Sequence, residues 1–218
     1  NEQVIMKRSG NLKDSFLSFE NLYAGYKKAF KATKNYSACE FTFNIDRELH
    51  LLLDELACAS YVPREYRYFV IKDPKERRIS VAAFRDRVVH HSLVNILEPV
   101  FEKRFIRDSY ATRKGKGTHR AIARAQHFIR QNRWYLKMDV RKYFDSINHE
   151  ILNNRISRSV KDSFIINLCA VIISKGGDGS AGLPIGNLTS QFFANVYLDM
   201  FDHFMKERNR IKCYLRYM

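Results

Sequence analysis

Leu136-Lys137-Met138-Asp139-Val140-Arg141-Lys142-Tyr143-Phe144-Asp145 sets an acid at the end of an alternating apolar segment. Residues 134–140 read as a strand, with Leu136, Met138 and Val140 on one side and Tyr135, Lys137 and Asp139 on the other. A carboxylate at such a strand end is well placed for a divalent metal. The strand holds the side chain while the end stays open, and Mg²⁺ takes one or two carboxylates with phosphate oxygens and water. An Asp in that place also serves as a helix cap or turn former, and Asp145-Ser146-Ile147-Asn148 reads as a turn into the next helix.

Around this segment the chain is mostly helical. Leu12, Phe16, Phe19, Tyr23, Tyr26 and Phe30 recur at helical spacing and predict one helix over 11–32. A second starts near Asn44 or Asp46 and carries Leu49, Leu52, Leu53 and Leu56. Residues 66–71 and 79–82 read as two strands around the polar stretch 72–78, a basic hairpin. Helices follow over 84–101, 118–131 (with Thr118 as cap), 148–157, 162–174, and from a cap at Thr189 or Ser190 to Met205. Residues 211–218 alternate as a further strand. Ser109–Gly117 and Gly176–Asn187 are long loops. Few strands and no regular strand–helix–strand repeat make the class α+β.

The 218 residues carry 38 Lys plus Arg against 23 Asp plus Glu, a formal net charge of +15. An apolar fraction of 45% excludes a disordered chain. No apolar run approaches the roughly 20 residues of a membrane span, and the opening NEQVIMKRSG lacks the apolar segment of a signal peptide. Cys39, Cys58, Cys169 and Cys213 are far apart, which argues against a zinc site and points to reduced thiols in the cytoplasm. Residues 61–130 hold 17 Lys/Arg and 7 Asp/Glu, a net +10 in about a third of the chain. A solvated basic surface and a phosphate-binding face both fit that excess.

Two other segments can carry chemistry. Gly182-Leu183-Pro184-Ile185-Gly186-Asn187-Leu188-Thr189-Ser190-Gln191 is a rigid, glycine-bearing loop running into a helix N-terminus. It is suited to close backbone approach by a nucleotide, or is simply the way into a helix. Lys72, Lys75, Arg77 and Arg78 on a projecting hairpin can clamp a triphosphate, or be a charged turn in water. His90 and His91 sit together on a helix with no nearby third ligand, which points to core packing rather than metal.

Taken in order, these blocks resemble the reverse transcriptases of bacterial retroelements. The matching stretches are Arg77–Ala83 running into Phe84-Arg85-Asp86-Arg87-Val88-Val89-His90-His91; Ser109–Gly117; Met138 to Asp145; Gly182–Gln191 with Ala194-Asn195; and Tyr217-Met218. They cover roughly residues 62 to 218. Ile185 stands where group II intron enzymes usually carry Gln, and Ser190-Gln191 where they carry Ser-Pro. Both features, with Arg85-Asp86-Arg87-Val88-Val89-His90-His91, look like the diversity-generating retroelement group.

The resemblance implies a right-hand polymerase. A helical N-terminal extension (1–60) would precede fingers (61–132, interleaved with palm) and an incomplete palm (133–218, with 160–190 partly fingers) holding a small antiparallel sheet; a thumb would be absent. It implies RNA-directed DNA synthesis, in which a primer 3′-hydroxyl attacks a deoxynucleotide at two Mg²⁺ ions (Mn²⁺ being an alternative). Asp139 would be the first catalytic carboxylate and metal ligand, joined by the Val140 carbonyl. Arg77 with Lys72 or Lys75 would hold the triphosphate. Phe144 would be the steric gate against a 2′-hydroxyl. Ile185 and Gly186 would face the nucleotide, and Arg113, Lys114, Lys116, Pro184 and Asn187 the template and primer. Expected partners are an RNA template, a DNA or RNA primer, a deoxynucleoside triphosphate and a basic accessory protein, with no membrane. Because the family's fifth block reads Tyr-x-Asp-Asp and this sequence stops at Tyr217-Met218, the piece is expected to be inactive alone. Its start at Asn1 suggests a processed or trimmed chain. A group II intron-type enzyme or maturase, and a non-catalytic RNA-binding module, are the alternatives.

Overall fold

The computed structural model describes residues 7–33, 35–72, 75–177 and 179–217. The start at Asn1, the middle of the hairpin turn (Asp73-Pro74) and Met218 lie outside the described residues.

The first helix is divided. Lys13–Phe16 (α1) and Phe19–Ala32 (α2) are separated by Ser18, whose backbone is extended and whose hydroxyl accepts from the Asn21 N–H. A serine that caps from outside competes with the continuous helix that the apolar spacing suggests. Phe19, Tyr23, Tyr26 and Phe30 stack as a ladder along α2, with successive centroids 6.2, 5.9 and 5.7 Å apart. The buried face beside that ladder is Leu22, Tyr26 and Ala29. Tyr36–Phe43 (α3), which the apolar pattern did not suggest, is capped by Asn35, and Ile45–Ala57 (α4) buries Leu49, Leu52 and Leu56.

The hairpin forms as β1 (Arg67–Lys72) and β2 (Glu76–Val81), antiparallel, with Arg67 opposite Val81 and Lys72 opposite Glu76. Arg77 and Arg78 therefore lie in a strand rather than in the turn. Behind the hairpin runs the central helix α5 (Phe84–Glu102), which buries Val88, Val89, Leu93, Leu97 and Phe101 among α2, α3 and the later α9. Asp86 pins the chain ahead of the hairpin, accepting from the Tyr61 hydroxyl and the Arg64 N–H at 2.9 Å each.

Four more helices complete the chain: α6 (Thr118–Arg130), α7 (His149–Ser157), α8 (Ser163–Ser174) and α9 (Leu188–His203), the last running on as a π-turn, Phe204–Arg208. Asn148 and Asp162, where the two helices were expected to begin, cap α7 and α8 with side-chain oxygens. Thr118, Thr189 and Ser190 are not caps. They lie inside their helices, behind Gly117 and Asn187.

The expected palm strands do not form among the described residues. Residues 134–140 form no strand and no ladder, with Leu136 81%, Met138 65% and Val140 55% exposed. Alternation makes a face but supplies no partner, and without a ladder the backbone groups stay in water. Residues 211–217 make only an isolated bridge, Arg216 to Ser109.

The tightest helix contact depends on Gly25. A Cβ there would lie 2.1 Å from Ser92 Oγ and 2.7 Å from the Val88 carbonyl oxygen, both on α5. Gly25→Ala is expected to lower stability by about 1–3 kcal/mol, read as the shift in urea midpoint.

Candidate nucleotide and template site

One loop joins the parts that the sequence singles out. Ser80 in β2 turns both backbone groups away from β1. Its N–H donates to the Ile185 carbonyl at 2.8 Å, and its carbonyl accepts from Asn187 Nδ2 at 3.1 Å. Between them Gly186 has φ +111°, and a Cβ there would sit 2.8 Å from Ile79 Cγ2 and 3.1 Å from the Ser80 oxygen. Only glycine combines that backbone conformation with so close an approach. The loop's other end binds the segment after Asp139. The Leu183 N–H donates to the Phe144 carbonyl (2.9 Å), the Gly182 N–H to the Ile147 carbonyl (2.8 Å), and His149 Nε2 to the Gly182 carbonyl (2.7 Å). Hairpin, loop and Asp139 segment are thus linked edge to edge.

Between the hairpin, α5 and the start of α9 lies a cavity of about 350 Å³. Phe69, Ile79 and Val81 give it apolar walls, and Arg87, His90 and Gln191 are among its polar lining. His90 is buried, and its Nε2 has no hydrogen-bond partner among the described residues. Burial, reinforced by His91 and Arg87, pushes its pKa down to about 3; burial, with Arg87 and Lys28, takes His91 to about 4. Both rings are neutral at pH 7. Burial also lowers the Arg87 pKa.

The hairpin's far end is basic and open. Lys72, Lys75 and Arg77 are exposed, Lys72 stands 3.9 Å from Glu76, and the Arg78 guanidinium lies 3.8 Å above the Tyr68 ring. Phe144 is half-buried and packs edge-on against Tyr143 with centroids 5.7 Å apart. Tyr143 is fixed by donating its hydroxyl to the Ala194 carbonyl at 2.6 Å, and burial raises its pKa.

The sequence pattern described as "Reverse transcriptase (RNA-dependent DNA polymerase)" matches residues 71–218, well over half of the chain. The chain belongs to the reverse transcriptase family. Among its relatives, the protein YkfC of Escherichia coli is 29% identical, over 74% of this chain and 46% of that protein. The group II intron-encoded protein LtrA of Lactococcus lactis is 24% identical, over 87% of this chain and 33% of that protein. The chain thus spans less than half the length of these relatives. A chain of a partial Cas6-RT-Cas1–Cas2 complex shares the fold, with a TM-score of 0.59 at 18% identity over 88% of this chain and 34% of that chain. The helix-rich α+β structure and its hairpin are the fingers and part of the palm of a reverse transcriptase.

Within that reverse transcriptase fold, two expected template contacts are engaged internally. The Arg113 side chain is 5% exposed, pairs with Glu102 at 2.7 Å, and donates to the Ile106 and Ser109 carbonyls. Asn187 is buried on Ser80. Both residues build the loops rather than reach outward. Lys114 is exposed. Lys116 donates to the Arg107 carbonyl at 2.7 Å, 5.1 Å from the Tyr110 ring, and burial lowers its pKa. Pro184 packs where a Cβ of Gly176 would go. Asp139 and Val140 stand exposed on the unpaired segment.

No group of three or more His, Cys, Asp or Glu side chains converges to hold a metal among the described residues. Asp139 and the Val140 carbonyl offer oxygens of the kind Mg²⁺ prefers, but one carboxylate does not organise two ions. The described residues therefore fit a part of such a site and not the whole.

The position of Ser80, the Arg87–His90 cavity and the Asn187 contact had no local signal in the sequence. The Gly186→Ala variant is expected to lose about 1–3 kcal/mol of stability and to expose the Ser80 amide to hydrogen exchange. Unchanged exchange at Ser80 would count against the joint.

Proposed function

We propose that the chain forms the nucleotide- and template-facing part of an RNA-directed DNA polymerase, which joins a deoxynucleotide to a DNA or RNA primer on an RNA template. The observation that carries this reading is the Gly182–Asn187 loop, bonded at one end to the hairpin and at the other to the segment after Asp139. In this reading 61–132 are fingers and 133–218 palm, with 160–190 shared and 1–60 a helical extension. Lys72, Lys75 and Arg77 meet the triphosphate, since charge-assisted bonds to phosphate suit exposed cations. Phe144 excludes a 2′-hydroxyl beside the sugar, while Ile185 and Gly186 face the incoming nucleotide. Lys114, Lys116 and Pro184 lie along the template. Asp139 with the Val140 carbonyl supplies oxygens for Mg²⁺ or Mn²⁺, whose Lewis acidity serves phosphoryl transfer when the ion is bound. No helix is long and apolar enough to cross a membrane among the described residues. Together with four unpaired cysteines, this supports a cytoplasmic site of action.

Within the family we place the chain nearest the diversity-generating retroelement enzymes, on Ile185 and Ser190-Gln191. A group II intron-type enzyme is the second reading, favoured by the likeness to LtrA. An apolar side chain at 185 cannot hydrogen-bond the incoming nucleotide, which fits loose selection.

The test is primer extension on RNA by the full-length protein that carries this chain, with deoxynucleotides and Mg²⁺. Asp139→Ala is expected to cut extension on the order of 100–1000-fold. Tight RNA binding with no extension by the wild type would instead mark a binding module. In the same assay Ile185→Gln is expected to lower misincorporation opposite template adenine; unchanged misincorporation would remove Ile185 from nucleotide selection.

A further inference from the structure

Arg216 lies at the centre of a buried polar network. Its Nε donates to both Asp202 oxygens (2.9 and 3.0 Å) and its Nη2 to Asp202 Oδ2 (2.8 Å). Its Nη1 donates to Asn195 Oδ1 (2.9 Å), and Nη2 also to Ser109 Oγ (3.1 Å). Asp202 is fully buried and accepts the Tyr214 hydroxyl at 2.7 Å as well. The backbone of Arg216 is held too: its N–H donates to the Asp108 carbonyl (3.0 Å), and its carbonyl accepts from the Tyr110 N–H (3.1 Å). The next residue, Tyr217, shares a 2.7 Å hydrogen bond with Thr118 Oγ1 at the start of α6.

The same helix, α9, holds the segment that carries Asp139. Ala194, whose carbonyl takes the Tyr143 hydroxyl, is the neighbour of Asn195, whose amide is shared between Arg216 and the Ala111 carbonyl. Two chain segments far apart in sequence, 139–144 and 213–217, are thus tied to adjacent residues of one helix. Stability alone does not require this device. A buried ion pair often stabilises no more than an apolar pair of similar volume. What a bidentate guanidinium–carboxylate fork supplies is direction, because its planar geometry accepts few orientations.

We propose that Arg216 is a positioning residue for nucleotide transfer: by its fork on Asp202 and its bond to Asn195 it sets the Tyr217 segment against the segment bearing Asp139 and Phe144. This rests on the polymerase reading above.

The experiment uses the full-length protein, with active sites counted by single-turnover burst so that the folded fraction drops out. Arg216→Lys keeps the charge and loses the fork. Asn195→Ala leaves the ion pair and cuts one arm, and serves if the first variant does not fold. The expected result is a kcat reduced on the order of 10- to 100-fold, a KM for deoxynucleotide within about threefold of wild type, and a higher Mg²⁺ concentration for half-maximal rate. Faster hydrogen exchange of the Ser146 amide, which donates to the Lys142 and Tyr143 carbonyls, should accompany it. An unchanged kcat and Mg²⁺ dependence, with Asp139→Ala inactive, would overturn the positioning role and leave the polymerase reading standing. A wild type that does not extend primers would overturn both.

Discussion

Ser80 faces away from its own hairpin. In an antiparallel strand every second residue turns its N–H and C=O outward, and in β2 that residue finds Ile185 and Asn187. A two-stranded hairpin is marginal in water by itself, and this one is exposed along all of β1 and half of β2. The loop covers one edge of β2 and pulls the apolar end of the hairpin over α5. The cavity, the place of Ile185 and Gly186, and the link onward to Phe144 all follow from that docking.

Much of this was legible where the signal is local. The helix starts at Asn148 and Asp162 were readable, whereas the caps expected at Thr118 and at Thr189 or Ser190 were not borne out, since Gly117 and Asn187 precede those helices. The helices α4, α5 and α8 and the basic hairpin were readable as well. The strand expected at 134–140 was not, because alternation states which side chains share a face and says nothing of what pairs with the edge. Ser18 broke a helix whose apolar spacing was continuous. Asp202 and Arg216, fourteen residues apart across a turn, carry no pattern that announces a buried fork. The candidate site was legible as three blocks in order; their joining through Ser80 was not.

The structure also sorts the positive charge. A net +10 over 61–130 invites the view that every cation there waits for phosphate. Arg113 is engaged with Glu102, and Arg124, together with Lys206, with Asp108. Burial opposes ionisation of Asp108, yet the bonds from Arg124 and Lys206 hold its carboxyl below the ordinary range. Arg87 lines a cavity among neutral histidines. Exposed cations remain along the hairpin, at Arg67, Lys72, Lys75, Arg77 and Arg78, and also beyond it at Lys103, Arg107, Lys114, Arg120 and Arg130. Fewer basic side chains are available for nucleic acid than the composition implies.

The account turns on the hairpin and the Gly182–Asn187 loop being one unit, and the Ser80 amide reports on it directly. Residue-resolved hydrogen exchange of the unmodified chain is the measurement. The account requires Ser80 to exchange far more slowly than an unstructured peptide, with protection comparable to that of the Leu183 amide at the loop's other bond. A Ser80 amide exchanging at the rate of free peptide, while α5 stays protected, would contradict it.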